Sequence, residues 1–391
     1  MKASDSQLKN YVITWRRRIH AAPELSFHEV LTSKAIAAEL RRLGFQVKTG
    51  AGGTGVVGLL KGKTPGKTVA LRADMDALPV QEENRVPYRS KIPGKMHACG
   101  HDGHCAMLLG AASILIRNKE HLNGNVKLLF QPGEETPPGG ALGMIAAGAL
   151  ENPKVNAVFG LHLDSSLPSG KIGLRQGPMM AASDNFKITI KGRGGHAARP
   201  HNCLDPITTG AQIVAALQTI VSRRVDPARP AVITVGRFVS GTKHNIIPET
   251  ALLEGTARSI DRHTWKMMPV WIKQIAENTA LANGLTAAVE YERGYPVLYN
   301  DPQMINFSEG VVRSLLGPSA VAHIPDPLMG GEDFAYFLQK APGAFLRLGN
   351  CKNAGTAYPW HHPKFNIDEE VLPKGAKLLA ELAEEYLSFT G

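Results

Sequence analysis

What this sequence lacks narrows it before any motif is read. Four cysteines in 391 residues are too few for a disulfide framework, which points to a reducing, cytoplasmic setting. No apolar run reaches the roughly 18–20 residues of a membrane span. The opening stretch MKASDSQLKNYVITWRRRIH has no apolar core of the signal-peptide kind and reads as an amphipathic helix. Aromatic residues make up 6% of the chain and nowhere interleave with a basic stripe. The net charge of +10 therefore does not argue for nucleic acid. The densest basic run, Arg16-Arg17-Arg18, lies on a helix and reads as a solvated face. H-E-x-x-H is absent, since His28-Glu29 has no second histidine, so a helix-borne zinc protease is excluded. A G-x-G-x-x-G at Gly50, Gly52 and Gly55 is followed by a strand-like VVGLLKG where a dinucleotide site needs a helix; it reads as a hairpin turn.

What is present centres on Met96–Met107, MHACGHDGHCAM. His97, Cys99, His101, Asp102, His104 and Cys105 fall within ten residues, and thiolate and imidazole are the ligands a borderline-soft divalent metal prefers. The apolar MLLGAASILI follows at once, so the cluster sits where a loop enters a buried helix.

The length predicts two domains. An apolar period of 3.6 at Leu8, Tyr11, Val12, Trp15 and Ile19 marks the first helix, and a second runs roughly from Glu29 to Leu43, closed by Gly44. The strand TVALRADMD delivers Asp74 and Asp76, NVKLLFQPGEE delivers Glu134 and Glu135, and VNAVFGLH ends in His162. Three strands bearing acids or histidine at their carboxyl ends indicate a site at the mouth of a mostly parallel sheet with helices on both faces. From about 183 to 295 the pattern changes to β-α-β-β-α-β, the ferredoxin-like split unit. The expected organisation is thus α/β: a discontinuous catalytic domain, 1–182 and 296–391, with an inserted domain at 183–295.

The candidates for chemistry are Asp74, Asp76, Cys99, His101, His104, Glu134, Glu135, His162, His361 and His362. Ligands dispersed over strand ends suit a two-metal hydrolase, in which two divalent ions about 3.5–4 Å apart hold a bridging water and bring its pKa towards about 7. Adjacent glutamates suit this chemistry, because one can ligate while its neighbour stays free to move the water proton.

These motifs together resemble the metal-dependent amidohydrolases that include hippurate hydrolases, bacterial N-acyl-amino-acid aminoacylases, some carboxypeptidases and the plant auxin-conjugate hydrolases. The matching stretches are HAAPELSFHE, LRADMDALPVQEEN, MHACGHDGH, FQPGEE with GGALGMIAAGAL, GLH, GRGGHAARPH, HNIIPE, GGEDFAYF and HHPKFNIDE, in family order over essentially the whole chain. The resemblance implies Cys99, His101, Glu135, His162 and His361 as ligands of two divalent ions, with His362 the competing neighbour of His361. It implies Glu134 as general base and Asp76 as support for the metals. His196 matches a histidine of the inserted domain that reaches the partner subunit's site and stabilises the oxyanion, which implies a homodimer or a dimer of dimers. Asn245 and the backbone at Gly330 and Gly331 look like substrate-side groups. Arg258 serves either a substrate carboxylate or a surface salt bridge, and His104 either supports the site or covers the helix start. Cys105, Cys203 and Cys351 read as packing. Departures are few: Gly133 stands where the family often has alanine, Thr136-Pro137-Pro138 precedes the paired glycines, and Trp360 replaces a frequent leucine.

The reading that follows is hydrolysis of the amide bond of N-acyl amino acids by a metal-bridging hydroxide, with zinc the favoured metal for a thiolate ligand and manganese, cobalt or nickel the others that suit it. The alternatives are a metallo-carboxypeptidase or dipeptidase on short peptides and, in another class, a metal-binding relative without catalysis. Neither nucleic acid nor membrane is expected as a partner.

Overall fold

The 3.6-residue apolar period of the first helix is realised in Asp5–His20, which buries Leu8, Val12, Trp15 and Ile19 along one face. The computed structural model describes residues 5–389, and they divide into two units. The first takes in the described residues up to Gly177, Tyr299–Asp326 and those from Asp333 onward; the second is Pro178–Leu298 with Pro327–Glu332. The second unit is therefore a few residues wider than 183–295 at each end and claims a short segment from further along the chain.

In the first unit an eight-stranded sheet runs in the order Gln46–Ala51, Gly55–Lys61, Asn123–Gln131, Thr64–Asp74, Ala157–Pro168, Gly343–Cys351, Ile172–Leu174 and Val321–His323. Its four central strands, from Asn123–Gln131 to Gly343–Cys351, are all parallel. They are almost continuously buried, as strands covered on both faces must be. The glycine-rich turn joins two antiparallel strands, Gln46–Ala51 and Gly55–Lys61, in a hairpin, and Gly52 and Gly53 adopt φ of 69° and 106°, which suits glycine.

Helix His101–Leu115 is buried on every side. It is packed closely enough that a Cβ at Gly110 would stand 2.6 Å from Val12 and 2.7 Å from Ala376. An apolar helix without a polar face belongs in a core, and this one carries the histidine cluster at its first turn.

The second unit is a four-stranded antiparallel sheet in the order Ala231–Ser240, Thr250–Ser259, Ala182–Lys191, Thr286–Tyr295. Helices Pro206–Arg223 and Arg262–Ala282 connect the strands in β-α-β-β-α-β sequence, the ferredoxin-like arrangement. Asp205 and Asp261 cap the helices by accepting the N–H groups of Ile207 and Thr264. Ile188, Ile190, Leu253, Ile213, Leu217 and Ile272 form its core. No described helix is long and apolar enough to cross a membrane.

Candidate metal centre

The site residues come from neighbouring parallel strands and the turns that follow them. Strand Thr64–Asp74 supplies Asp74, the turn after Asn123–Gln131 supplies Glu134 and Glu135, and Ala157–Pro168 contributes His162. His162 does not end its strand, contrary to the sequence expectation. Pairing with Gly343–Cys351 continues past it, with Arg347 opposite His162 and Gly349 opposite Asp164.

Hydrogen bonds fix which ring nitrogen of each histidine faces the centre. His101 uses Nδ1 on the Asp76 carbonyl at 2.9 Å and on the Asp76 carboxylate at 3.2 Å. His162 uses Nδ1 on the Leu163 carbonyl at 2.7 Å. Both therefore turn Nε2 inward. His104 differs. Its Nδ1 donates to Asp74 at 2.6 Å and its Nε2 accepts the Leu163 N–H at 3.0 Å, so both nitrogens are spent within the protein and the residue braces Asp74.

Inward-facing atoms then meet. Cys99 Sγ lies 3.5 Å from His162 Nε2, His361 Nε2 lies 3.3 Å from Glu135 Oε1, and His101 Nε2 lies 3.9 Å from Glu135 Oε1. Overlapping groups, among them Cys99–His101–His162, Cys99–Glu135–His361 and His101–Glu134–Glu135, have donor atoms within 4.8 Å of one another. His101 Nε2 and Glu135 Oε1 are buried without a hydrogen-bond partner, a costly arrangement for polar atoms that no ligand satisfies. Ligands at 2.0–2.3 Å from a tetrahedral zinc stand about 3.3–3.8 Å apart, so these spacings fit a bound divalent ion.

Electrostatics agree. Burial first, and then the Glu135, Glu134 and Asp74 carboxylates, push the Cys99 thiol well above its usual range. Burial opposes a charge on His101, yet Asp74, Asp76 and Glu135 outweigh it and push its pKa up to about 10. A buried set of carboxylates that makes its own thiol and imidazole hold protons calls for a cation.

The two adjacent histidines have different surroundings. His361 sits at φ 65°, its N–H bonded to the Ala98 carbonyl at 2.8 Å, and so its ring reaches Glu135. His362 turns away, its Nδ1 accepting the Lys364 N–H at 2.9 Å and its ring stacked on Tyr358.

Several residues around the centre escaped the sequence reading. Buried Arg72 bridges Asp74 at 2.6 Å and Asp333 at 2.9 Å, and Gln131 donates to Asp333 at 2.7 Å. Arg72 stands two residues before Asp74 on a buried strand, a position where a cation needs a partner, and that signal was available. Arg16 corrects the expectation of a solvated basic face. It is 1% exposed and pairs with Asp102 at 2.8 Å, while His20 joins Asp102 at 2.8 Å and Glu82 at 3.1 Å. Burial works against the Asp102 carboxylate, but Arg16 and His20 hold its pKa far below the usual range. Only Arg17 and Arg18 of the triplet are exposed.

The remaining sequence-derived residues lie in the second unit. His196 and Ile246 pair across a two-stranded ribbon, and the Ala197 N–H bonds the Asn245 carbonyl at 3.1 Å, which brings His196 and Asn245 together. The Ala198 N–H donates to His196 Nδ1 at 3.0 Å, leaving the ring proton on Nε2. Arg258 is half-buried on the strand face opposite Ala257 and Ser259 and has no salt bridge among the described residues. A Cβ on Gly331 would meet Ser183 at 2.8 Å, whereas one on Gly330 would have only a 3.5 Å contact with Met180.

A profile described as Peptidase family M20/M25/M40 matches residues 70–385. The chain belongs to this family. "Thermostable carboxypeptidase 2" of Saccharolobus solfataricus is 44% identical over 390 residues, covering 99% of this chain and 98% of that one. "N-acetyl-L-cysteine deacetylase" of Bacillus subtilis is 42% identical, covering 98% and 89%. Among solved structures, the Bacillus subtilis YXEP protein, described as a dinuclear metal binding peptidase of the M20 family, superposes with a TM-score of 0.87 at 36% identity, covering 98% and 99%. As an M20 member the chain is an enzyme, a metal-dependent amidohydrolase or peptidase.

Proposed function

We propose that this M20 enzyme hydrolyses the amide bond between an acyl group and an amino acid. The observation that carries the reading is the pair Glu134-Glu135: Glu135 lies between His101 and His361, while Glu134, 7% exposed, has its carboxylate in the same cluster. In this reading Cys99, His101, Glu135, His162 and His361 hold two divalent ions. Zinc suits the thiolate best, and manganese, cobalt and nickel suit the rest of the set. When bound, the ions supply an activated water and polarise the scissile carbonyl.

The protein's own groups do the rest. Glu134 takes a proton from the attacking water and delivers it to the leaving nitrogen. His196 of a partner subunit donates its Nε2–H to the developing oxyanion, the tautomer favoured by the Ala198 bond. Asn245 and the Gly330 backbone orient the substrate, and Arg258, which makes no salt bridge among the described residues, pairs with the carboxylate of the amino-acid half. A homodimer is supported by the edge strand Ala231–Ser240, where Val232, Phe238 and Val239 are exposed. Four free thiols suit a reducing cytoplasm.

The deacetylase likeness favours acyl amino acids, and the carboxypeptidase likeness favours short peptides as the second reading. Metal-stripped protein, reloaded with each metal and offered N-acetyl, N-benzoyl and aryl-acetyl amino acids beside dipeptides, separates them: metal-restored release from the acylated set supports the first, and release from dipeptides alone the second. Glu134→Gln is expected to keep its metal and lose kcat by about 10²–10⁴-fold. Near-full activity in that variant rules out Glu134 as the base.

A further inference from the structure

Two sequence features remain without a role: the second glutamate of HAAPELSFHE and the glycine-rich hairpin. They meet at one carboxylate. Glu29 is wholly buried. Its Oε1 accepts the N–H of Phe27 at 2.9 Å and the N–H of Gly133 at 2.8 Å, and its Oε2 accepts the hydroxyl of Thr54 in the hairpin turn. Glu29 stands at the N-cap of helix Val30–Leu43, yet makes no side-chain cap bond. That duty falls to Glu24, whose two oxygens accept the N–H groups of Leu31 at 3.0 Å and Thr32 at 2.8 Å. Glu29 is thereby left to face inward.

Gly133 immediately precedes Glu134 and Glu135. It sits at φ 62°, and the Phe27 ring, itself on a backbone at φ 64°, lies where a Cβ would be, within 2.5 Å. The left-handed conformation is unfavourable for a bulky residue such as Phe27, and both amides are pinned by the same Glu29 oxygen. A second attachment lies three residues back: Ser26 Oγ donates to Asp76 Oδ2 at 2.7 Å, the same oxygen that accepts the Glu135 N–H at 2.9 Å. The segment 24–29 is thus tied to both acidic strand ends, to Asp76 through Ser26 and to the Pro132-Gly133 turn through Glu29.

We infer that Glu29 is a positioning residue for the reaction: bonded to Gly133, Phe27 and Thr54, it fixes the turn that aims the Glu134 carboxylate and holds Glu135 in place. This rests on the proposed role of Glu134. Catalytic groups need a supporting shell, and a displacement of about 1 Å costs roughly 10²-fold in rate.

Glutamine and alanine separate geometry from charge. In Glu29→Gln the amide oxygen still accepts both N–H groups and the amide nitrogen faces Thr54, whose hydroxyl can rotate to accept. Glu29→Gln is expected to keep kcat within about threefold and to keep the pH profile. Glu29→Ala is expected to lower kcat about 10²-fold with KM and metal content little changed. Thr54→Val, which removes one bond at constant shape, is expected to lower kcat about 3–10-fold. Wild-type kcat in folded Glu29→Ala overturns the inference, as does a shift of the pH profile in Glu29→Gln, which would make the residue's charge the active property. Should Glu29→Ala not fold, unchanged kcat in Thr54→Val overturns it. Glu134→Gln in the same assay keeps the two claims apart. If that variant is active, the base assignment fails; if it is inactive while Glu29→Ala is active, only the positioning role fails.

Discussion

Asp76 joins the two halves of the centre. One of its oxygens accepts the Glu135 N–H at 2.9 Å, and the other lies 3.2 Å from His101 Nδ1. Burial opposes its charge, but His101, Ser26 and the Glu135 amide outweigh it and lower its pKa. A carboxylate behind a ligating histidine sets the ring's orientation and basicity, and its loss typically costs 10–100-fold in metal affinity. Asp76→Asn is therefore expected to lower metal affinity by about 10–100-fold, read by competition with a chromophoric chelator. Unchanged affinity would remove Asp76 from the support of His101.

The two adjacent C-terminal histidines are expected to part company. His361→Ala removes the group 3.3 Å from Glu135 and should reduce metal stoichiometry in dialysed protein. His362→Ala removes a ring stacked on Tyr358 and should leave stoichiometry at the wild-type value. Elemental analysis of the two variants side by side decides the matter.

Gly133 should resist enlargement. Alanine there meets both a left-handed backbone at φ 62° and the Phe27 ring, so Gly133→Ala is expected to destabilise by about 1–3 kcal/mol. Phe27→Ala in the same chain should recover the steric share and leave the conformational one. A double-mutant cycle by chemical denaturation measures the coupling, and zero coupling would show that the ring does not restrict this position.

The buried His20 gives stability a pH dependence of known sign. Burial and Arg16 oppose its charge, but Asp102 and Glu82 prevail and raise its pKa above the ordinary 6.5. A group whose folded pKa is raised contributes in full below its unfolded value and loses that contribution as pH climbs through the folded value. His20→Gln, which breaks a buried charged set, is expected to cost about 3 kcal/mol at pH 6 and progressively less in alkali. A deficit that grows with pH would contradict the charged state assigned to His20.

Much of the fold was legible because it rests on local signals. Helix Pro206–Arg223 follows its capping Asp205, and the apolar period of Asp5–His20 names its own buried face. The central strands declare themselves as apolar runs ending in acids. What escaped is contact between distant residues. Arg16 reads as one of three solvated arginines until Asp102, 86 residues away, is placed beside it. Nothing local to His162 announces that pairing with Gly343–Cys351 carries its strand on to Pro168. The different surroundings of His361 and His362 accompany one left-handed backbone angle at His361, and the three bonds of Glu29 come from three separate loops.

The burial of helix His101–Leu115 on every side, with the Val12 and Ala376 side chains pressed against Gly110, has an evolutionary consequence. Almost any enlargement along it meets packed atoms, so this helix is frozen against drift while exposed loops and the strand faces of the second unit remain free to vary. Divergence in what such an enzyme cleaves should accumulate there, around a core whose sequence stays still. A saturation library scored for growth on an acylated amino acid would display that contrast as a band of intolerance from His101 to Leu115 beside permissive flanks.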